Sequence, residues 1–273
     1  MELTESWKNV VPEDVRQRYR FVETRNAAST FKAGHPQEFD EVMAVLGAFS
    51  FDLDRIIRPG GSKHLIPKEI DEAFREMGWR EARYDQELIT KLILQPYRPA
   101  GEDAASTQES KNAYGGHKID NVKSRVALEV EWNPKDGNLD RDFGNFRSLY
   151  DGGAIDVGII LTRTEDRMKE LWYETIGIAK THPEAHSSEA WATRLGGTAD
   201  NPLGTSTTSN FEKLSPRVER GDGGGCPILA VAITAACFER PDDLMEGITK
   251  LSEDVAAGRA TETLAQKMGL VEG

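Results

Sequence analysis

The chain has 273 residues, 38% hydrophobic and 29% charged, enough apolar material for a substantial core and too much for disorder throughout. Thirty-four Lys and Arg against 46 Asp and Glu leave a net charge of -12, which argues against indiscriminate coating of nucleic acid or anionic membranes. No apolar run approaches the ~20 residues of a membrane span, and MELTESWKNV lacks the h-region of a signal peptide, so a soluble, cytoplasmic protein is expected. Cys226 and Cys237 are too few for a disulfide framework or a thiolate zinc site and are expected to be core thiols.

The first hundred residues read as a helical subregion. After Pro12-Glu13-Asp14, Val15, Tyr19 and Val22 recur on one helical face to about Ala28. Phe39, Val42, Met43, Leu46 and Phe49 mark a second helix after Pro36, and Pro59-Gly60-Gly61 breaks it off. Ile66 to Met77 and Glu81 to Leu94 read as a helix pair, stopped by Pro96 and Pro99.

Residues 101–125 are polar, and then Val126 to Trp132 alternates in the period of a half-buried strand. Val126, Leu128, Val130 and Trp132 share one side, Glu129 and Glu131 the other. A turn at 133–137 leads to a helical face of Leu139, Phe143, Phe146, Leu149 and Tyr150, then a buried strand from Ala154 to Leu161 and a helix from Glu165 to Lys180. A connection of this length points to neighbouring parallel strands. The stretch Gly196 to Gly225 is rich in Gly, Ser, Thr and Asn and reads as a long polar loop, followed by an apolar strand from Pro227 to Phe238 and two closing helices. The expectation is one mixed α/β domain over 1–273, with a central mixed sheet flanked by helices, a catalytic core at 101–180 and a possible recognition loop at 196–225.

The chemistry concentrates at His117-Lys118-Ile119-Asp120, followed nine residues after the aspartate by Glu129-Val130-Glu131. If the intervening residues form a hairpin turn, three carboxylates come together, a costly arrangement without a cation. Hard oxygen ligands of this kind suit Mg²⁺, which polarises phosphoryl groups and lowers the pKa of bound water. Glu-Val-Glu on a strand is more ordinarily the solvent face of an edge strand. Here the strand is followed by a helix and a second apolar strand, so it is expected to be internal, and two glutamates on a covered face then need a reason.

Asp120, Glu129 and Glu131 resemble the metal-binding signature of the PD-(D/E)XK nuclease superfamily, in the variant where the last lysine is replaced by an acidic or amide residue. That variant is characteristic of type II restriction endonucleases of the BamHI and BglII kind. The resemblance runs through Leu128-Glu129-Val130-Glu131, Asn133-Pro134-Lys135-Asp136 and Asp140-Arg141-Asp142-Phe143 to Val157-Gly158-Ile159-Ile160, and covers Ser62-Lys63 and Gly78-Trp79 upstream, about the middle half of the chain. The nine-residue interval is closer to BglII, whereas the glutamate at 131 is closer to BamHI. The resemblance implies Asp120 and Glu129 as Mg²⁺ ligands and Glu131 as metal ligand or as the base that orients or deprotonates the attacking water. It also implies a further upstream polar residue, Glu109 or Asn112, without choosing between them.

Lys118 and Lys123 are candidates for phosphate contacts, against the ordinary reading of solvated lysines. Asn201, Asn210, Lys213, Arg217 and Arg220, with Thr205 to Thr208, carry donors and acceptors suited to base edges, against that of a disordered surface loop. Arg141 and Arg147 are expected to pair with nearby acids. His182 and His186 flank Pro183 without an H-E-x-x-H pattern, Gly221 to Gly225 lack the lysine of a phosphate loop, and no G-x-S-x-G elbow is present, so zinc, nucleotide and serine-hydrolase readings fall away. The expected function is a Mg²⁺-dependent type II restriction endonuclease, acting as a homodimer on palindromic double-stranded DNA beside a cognate methyltransferase. Its alternatives are a less specific repair or defence nuclease and a non-catalytic DNA-binding protein.

Overall fold

The computed structural model describes residues 2–57, 65–181, 203, 208–259 and 261–272. In chain order the elements begin with β1 (Leu3–Thr4), α1 (Trp7–Val10), α2 (Glu13–Arg18), β2 (Tyr19–Thr24), α3 (Ala27–Gly34), α4 (Pro36–Ala48), α5 (Leu53–Ile57) and α6 (Leu65–Glu76). A long ribbon of β3 (Arg80–Leu94) and β4 (Ser106–Lys123) follows. Next come β5 (Val126–Val130), α7 (Gly137–Asp151), β6 (Val157–Arg163), α8 (Asp166–Thr181), α9 (Phe211–Arg220), β7 (Ile228–Ile233), α10 (Leu244–Ala256) and α11 (Leu264–Lys267).

The seven strands form one mixed sheet in the order β1-β2-β7-β6-β5-β4-β3. Its centre, β5, β6 and β7, is parallel, the β5–β6 pair as the strand-helix-strand pattern of 126–161 predicts, while the flanking pairs are antiparallel. Parallel central strands need both faces covered, and their near-continuous apolar runs supply side chains to each. Val126, Leu128, Val130, Ile159, Leu161 and Val231 point into a core shared with α2 to α4, α6 and α8. On the opposite face Ala127, Ile160, Ile228 and Ala230 meet Phe143 and Phe146 of α7 and Phe211 and Leu214 of α9. Gly158 admits α7 closely: a Cβ there would lie 2.5 Å from the Phe146 ring.

Helices populate the N-terminal half as expected, but two segments read as helical are strands. The helix begun at Glu13 stops at Arg18, and Tyr19 to Glu23 pair antiparallel with β7, more than 200 residues away in sequence. Glu81 to Leu94 is the strand β3, paired with the polar stretch that forms β4. Leu88, Ile89, Leu92 and Ile93 mimic an amphipathic helix by their spacing, yet all four are exposed. An exposed ribbon has no buried face to impose a two-residue period, so the local pattern misleads. The 196–225 stretch is likewise not wholly loop, since α9 lies within it. Both cysteines are free and buried, as expected.

Candidate active site

Lys123 pairs with Val126 across a two-residue turn in which Ser124 takes φ 51°, so β4 folds straight back onto β5. The turn sets Asp120 beside Glu129, and the two interlock. Asp120 Oδ2 accepts from the Val130 N–H at 3.0 Å, and Glu129 Oε2 accepts from the Asp120 N–H at 3.1 Å. β5 is internal, with β6 on its other side. Glu131 extends it, donating its N–H to the Leu161 carbonyl at 2.8 Å and accepting from Thr162 Oγ1 at 2.7 Å through its own carbonyl. Glu129 and Glu131 are both buried, 2% and 5% exposed, so the solvent-face reading of Glu-Val-Glu does not hold.

Two further acids join them. Asp142, on the inner face of α7, is buried beside Glu131, and Asp71 on α6 accepts from Asn121 Nδ2 at 2.7 Å. Arg141 Nη2 lies 2.8 Å from Asp142 Oδ1 and 3.7 Å from Glu131 Oε1. Three buried oxygens, Glu129 Oε1, Glu131 Oε2 and Asp142 Oδ2, receive no donor from the described residues. Glu131 and Asp142 approach closely enough that a single proton between them would form a bond, but as two carboxylates they only repel.

Burial, then the charges of Asp142 and Asp120, push Glu131 up to about 9 against the pull of Arg141. Burial also drives Glu129 well above the usual carboxylate range, aided by Asp120 and Asp142. Asp142 is raised chiefly by burial, and burial carries Asp71 to about 6 while its bond to Asn121 opposes the shift. Such mutual displacement of carboxyl pKa values marks functional sites. The donors are all hard oxygens, the class that Mg²⁺ takes. Asp120 Oδ2 and Glu129 Oε2 are engaged on backbone N–H groups, and among the described residues no three acid, His or Cys side chains already converge to hold a metal. A cleft of about 350 Å³ is lined by Tyr114, His117, Asn145 and Arg141 among others, and Arg141 links it to Asp142 and Glu131.

The upstream candidates are corrected by the fold. Glu109 and Asn112 lie eleven and eight residues along β4 from Asp120, roughly 36 and 26 Å away at about 3.3 Å per residue. Glu109 there pairs with Lys91 and Lys111. Asp71 and Asp142 occupy the neighbourhood instead. Asp142 carried a readable signal, an acid on the same α7 stripe as Leu139, Phe143 and Phe146; Asp71 carried none, because only tertiary packing brings α6 to β4.

The expected DNA contacts that fall among the described residues are engaged within the chain. Lys118 meets Glu81 at 2.7 Å, and Lys123 meets Glu41 at 2.6 Å and the Met77 carbonyl at 2.8 Å. Asn210 caps α9, accepting from the Lys213 N–H at 3.0 Å while its Nδ2 donates to Glu165 at 2.7 Å. Lys213 Nζ donates to the Thr208 carbonyl. Arg217 bridges Asp140 at 2.7 Å and Asp136 at 3.2 Å, and Arg220 pairs with Asp222 at 2.7 Å. Arg147 pairs with Asp151, as expected. Asn201, Thr205 to Thr207, His182 and His186 lie outside the described residues.

A mixed seven-stranded sheet between helical layers, with clustered acids on an internal strand, is a restriction-endonuclease-like α/β architecture. The family described as restriction endonuclease BglII/BglIII matches residues 19–233, which include β2 to β7 and every acid of the cluster. The chain belongs to that family, a family of nucleases that hydrolyse DNA. No curated protein matches it.

Proposed function

We propose that the chain is a Mg²⁺-dependent type II restriction endonuclease that cuts both strands of a palindromic DNA site as a homodimer, in company with a methyltransferase that protects the same site. The observation that carries the metal-dependent reading is the set of three buried carboxylate oxygens without a donor among the described residues, Glu129 Oε1, Glu131 Oε2 and Asp142 Oδ2. Uncompensated buried oxygens are expensive, and a cation relieves them.

Asp120 and Glu129 are the residues that would hold the ion. Bound there, Mg²⁺ would polarise the scissile phosphoryl group and lower the pKa of its water. Glu131 would be the anion that orients or deprotonates the attacking water, in place of the lysine common in the superfamily. Arg141 lies between Glu131 and Asp142 and pairs with the carboxylate of Asp142 at 2.8 Å. The internal position of β5 keeps this geometry rigid, because both its neighbours are hydrogen-bonded strands. Two symmetric strands of a palindrome are matched by two symmetric active sites, which is why two copies are required.

Plasmid incubated with purified protein and Mg²⁺ should give discrete fragments, and none with EDTA. A smear would favour a less specific nuclease. Intact plasmid at every Mg²⁺ concentration and with every DNA tested would remove the catalytic reading.

A further inference from the structure

The two edges of the sheet differ. β1 closes one with only two residues. β3 closes the other with fifteen, and from Asp85 to Leu94 it pairs with β4 in unbroken register, its bulges confined to the base. Proteins usually blunt a long edge with proline, bulges or several lysines. The stretch Asp85 to Leu94 has no proline, no bulge and one lysine, Lys91, which pairs with Glu109. Among the described residues nothing pairs with its outer side.

One face of this ribbon is uncharged throughout. From Gln86 to Leu94 every second residue, and each residue opposite it on β4, is Leu, Tyr, Gln, Thr, Asn or Ser. Leu88, Leu92, Leu94 and Tyr114 stand exposed on it, Leu88 by 62%. Residues 80–118 hold six Lys or Arg and six Asp or Glu, so the net charge of -12 belongs entirely to the rest of the chain. A polyanion is held by cations, and this face carries none of its own, Arg147 of α7 standing across the cleft that Gln86, Leu88, Asn112 and Tyr114 line. Two copies of a strongly acidic chain repel each other, and a neutral arm is where they meet at least electrostatic cost.

We propose that the β3 edge pairs antiparallel with the β3 edge of a second copy, joining the two sheets about a two-fold axis. The occupant is a second copy because an isologous strand pair closes on itself, whereas an unlimited edge would build fibres. Ten paired residues supply about ten backbone hydrogen bonds, the number a standard interface carries, and the leucines continue across the junction as one apolar face. An isolated two-stranded ribbon is marginal in water, so pairing also accounts for an arm of this length. The inference rests on the two-copy reading above and names its surface.

The test uses the full chain. Light scattering after size exclusion should give a dimer for the wild type, a monomer for Leu88→Lys/Leu92→Lys on β3, and a dimer for Asn112→Lys/Gln108→Lys, which alters the opposite residues on the inner strand β4. In the unmodified protein, hydrogen exchange of amides 85–94 should slow at least several-fold between dilute and concentrated samples, a readout that needs no variant. A dimer that persists in Leu88→Lys/Leu92→Lys, or exchange at 85–94 independent of concentration, overturns the edge while leaving a two-copy enzyme standing. Loss of the dimer in both variants overturns edge pairing in favour of face-to-face docking. A wild-type chain that is monomeric even with cleaved DNA overturns both readings, and altered duplex affinity in Leu88→Lys/Leu92→Lys without change of oligomeric state assigns the face to DNA instead.

Discussion

Glu131 sits between Asp142, which repels its charge, and Arg141, which attracts it, and burial decides the balance by pushing its carboxyl up to about 9. A carboxyl raised on folding keeps a proton that the unfolded chain gives up from about 4.5. Its stabilisation is therefore fully present below that value and is lost as pH rises toward 9, the native state binding more protons across the window. Thermal melts of the metal-free protein should show the midpoint falling between pH 5 and 9, with Glu131→Gln flattening the decline. The same substitution should retain partial cleavage if orienting water suffices and lose roughly 10²- to 10⁴-fold if Glu131 takes the proton. Asp120→Asn and Glu129→Gln should abolish cleavage and leave the midpoint unchanged or higher, because each removes one carboxyl from a crowded set of acids. Full activity in both would place the chemistry elsewhere.

At the scale of elements, α9 shows how one residue type serves two readings. Asn210 has the amide expected of a base-reading side chain, yet its oxygen caps the helix through the Lys213 N–H. Asn210→Ala should cost about 1 kcal/mol in denaturant unfolding of the DNA-free protein, the usual loss for a cap. An unchanged unfolding midpoint would restore the residue to DNA readout. The β6–α7 contact makes a second demand. Gly158→Ala would drive a methyl into the Phe146 ring and should lower stability by about 1–3 kcal/mol, the range for overpacking. Because α7 also carries Arg141 and Asp142, cleavage should fall with it more than stability alone explains.

The whole molecule carries -12 and its family acts on a polyanion, so attraction has to come from a few local cations and, on the proposed function, from a cation at the acids. Cognate binding should weaken steeply with salt, the logarithm of the association constant falling in proportion to the logarithm of salt concentration with a slope of about -0.9 per phosphate neutralised. Binding that is flat from 50 to 200 mM salt would mean that phosphate contacts play no large part. Arg217 and Arg220 already neutralise Asp140, Asp136 and Asp222, so cations engaged in this way reach phosphates only by releasing acids. That exchange adds an intramolecular cost to each such contact and steepens discrimination between duplexes that do and do not repay it.

The strand-helix-strand segment from Val126 to Arg163, its parallel pairing and the two buried glutamates were all legible in the sequence. There the apolar alternation, the helical stripe and the connection length are local quantities, set by residues within a turn or two of one another. Asp120 was legible too, since a tight turn fixes what lies opposite β5. The places of Tyr19 to Thr24 and of Arg80 to Leu94 were not, because a strand that pairs with a segment far along the chain, or one that stands exposed on an arm, leaves no periodic trace in its own residues. The place of Asp71 beside Asn121 and Asp120 was decided only in the tertiary structure, whereas Asp142, which meets Glu131, stood on a legible helical stripe. Packing of α6 and α7 on opposite sides of the sheet covers these acids, and burial there, rather than any property of the individual residues, raises the proton affinities of Glu129, Glu131, Asp142 and Asp71.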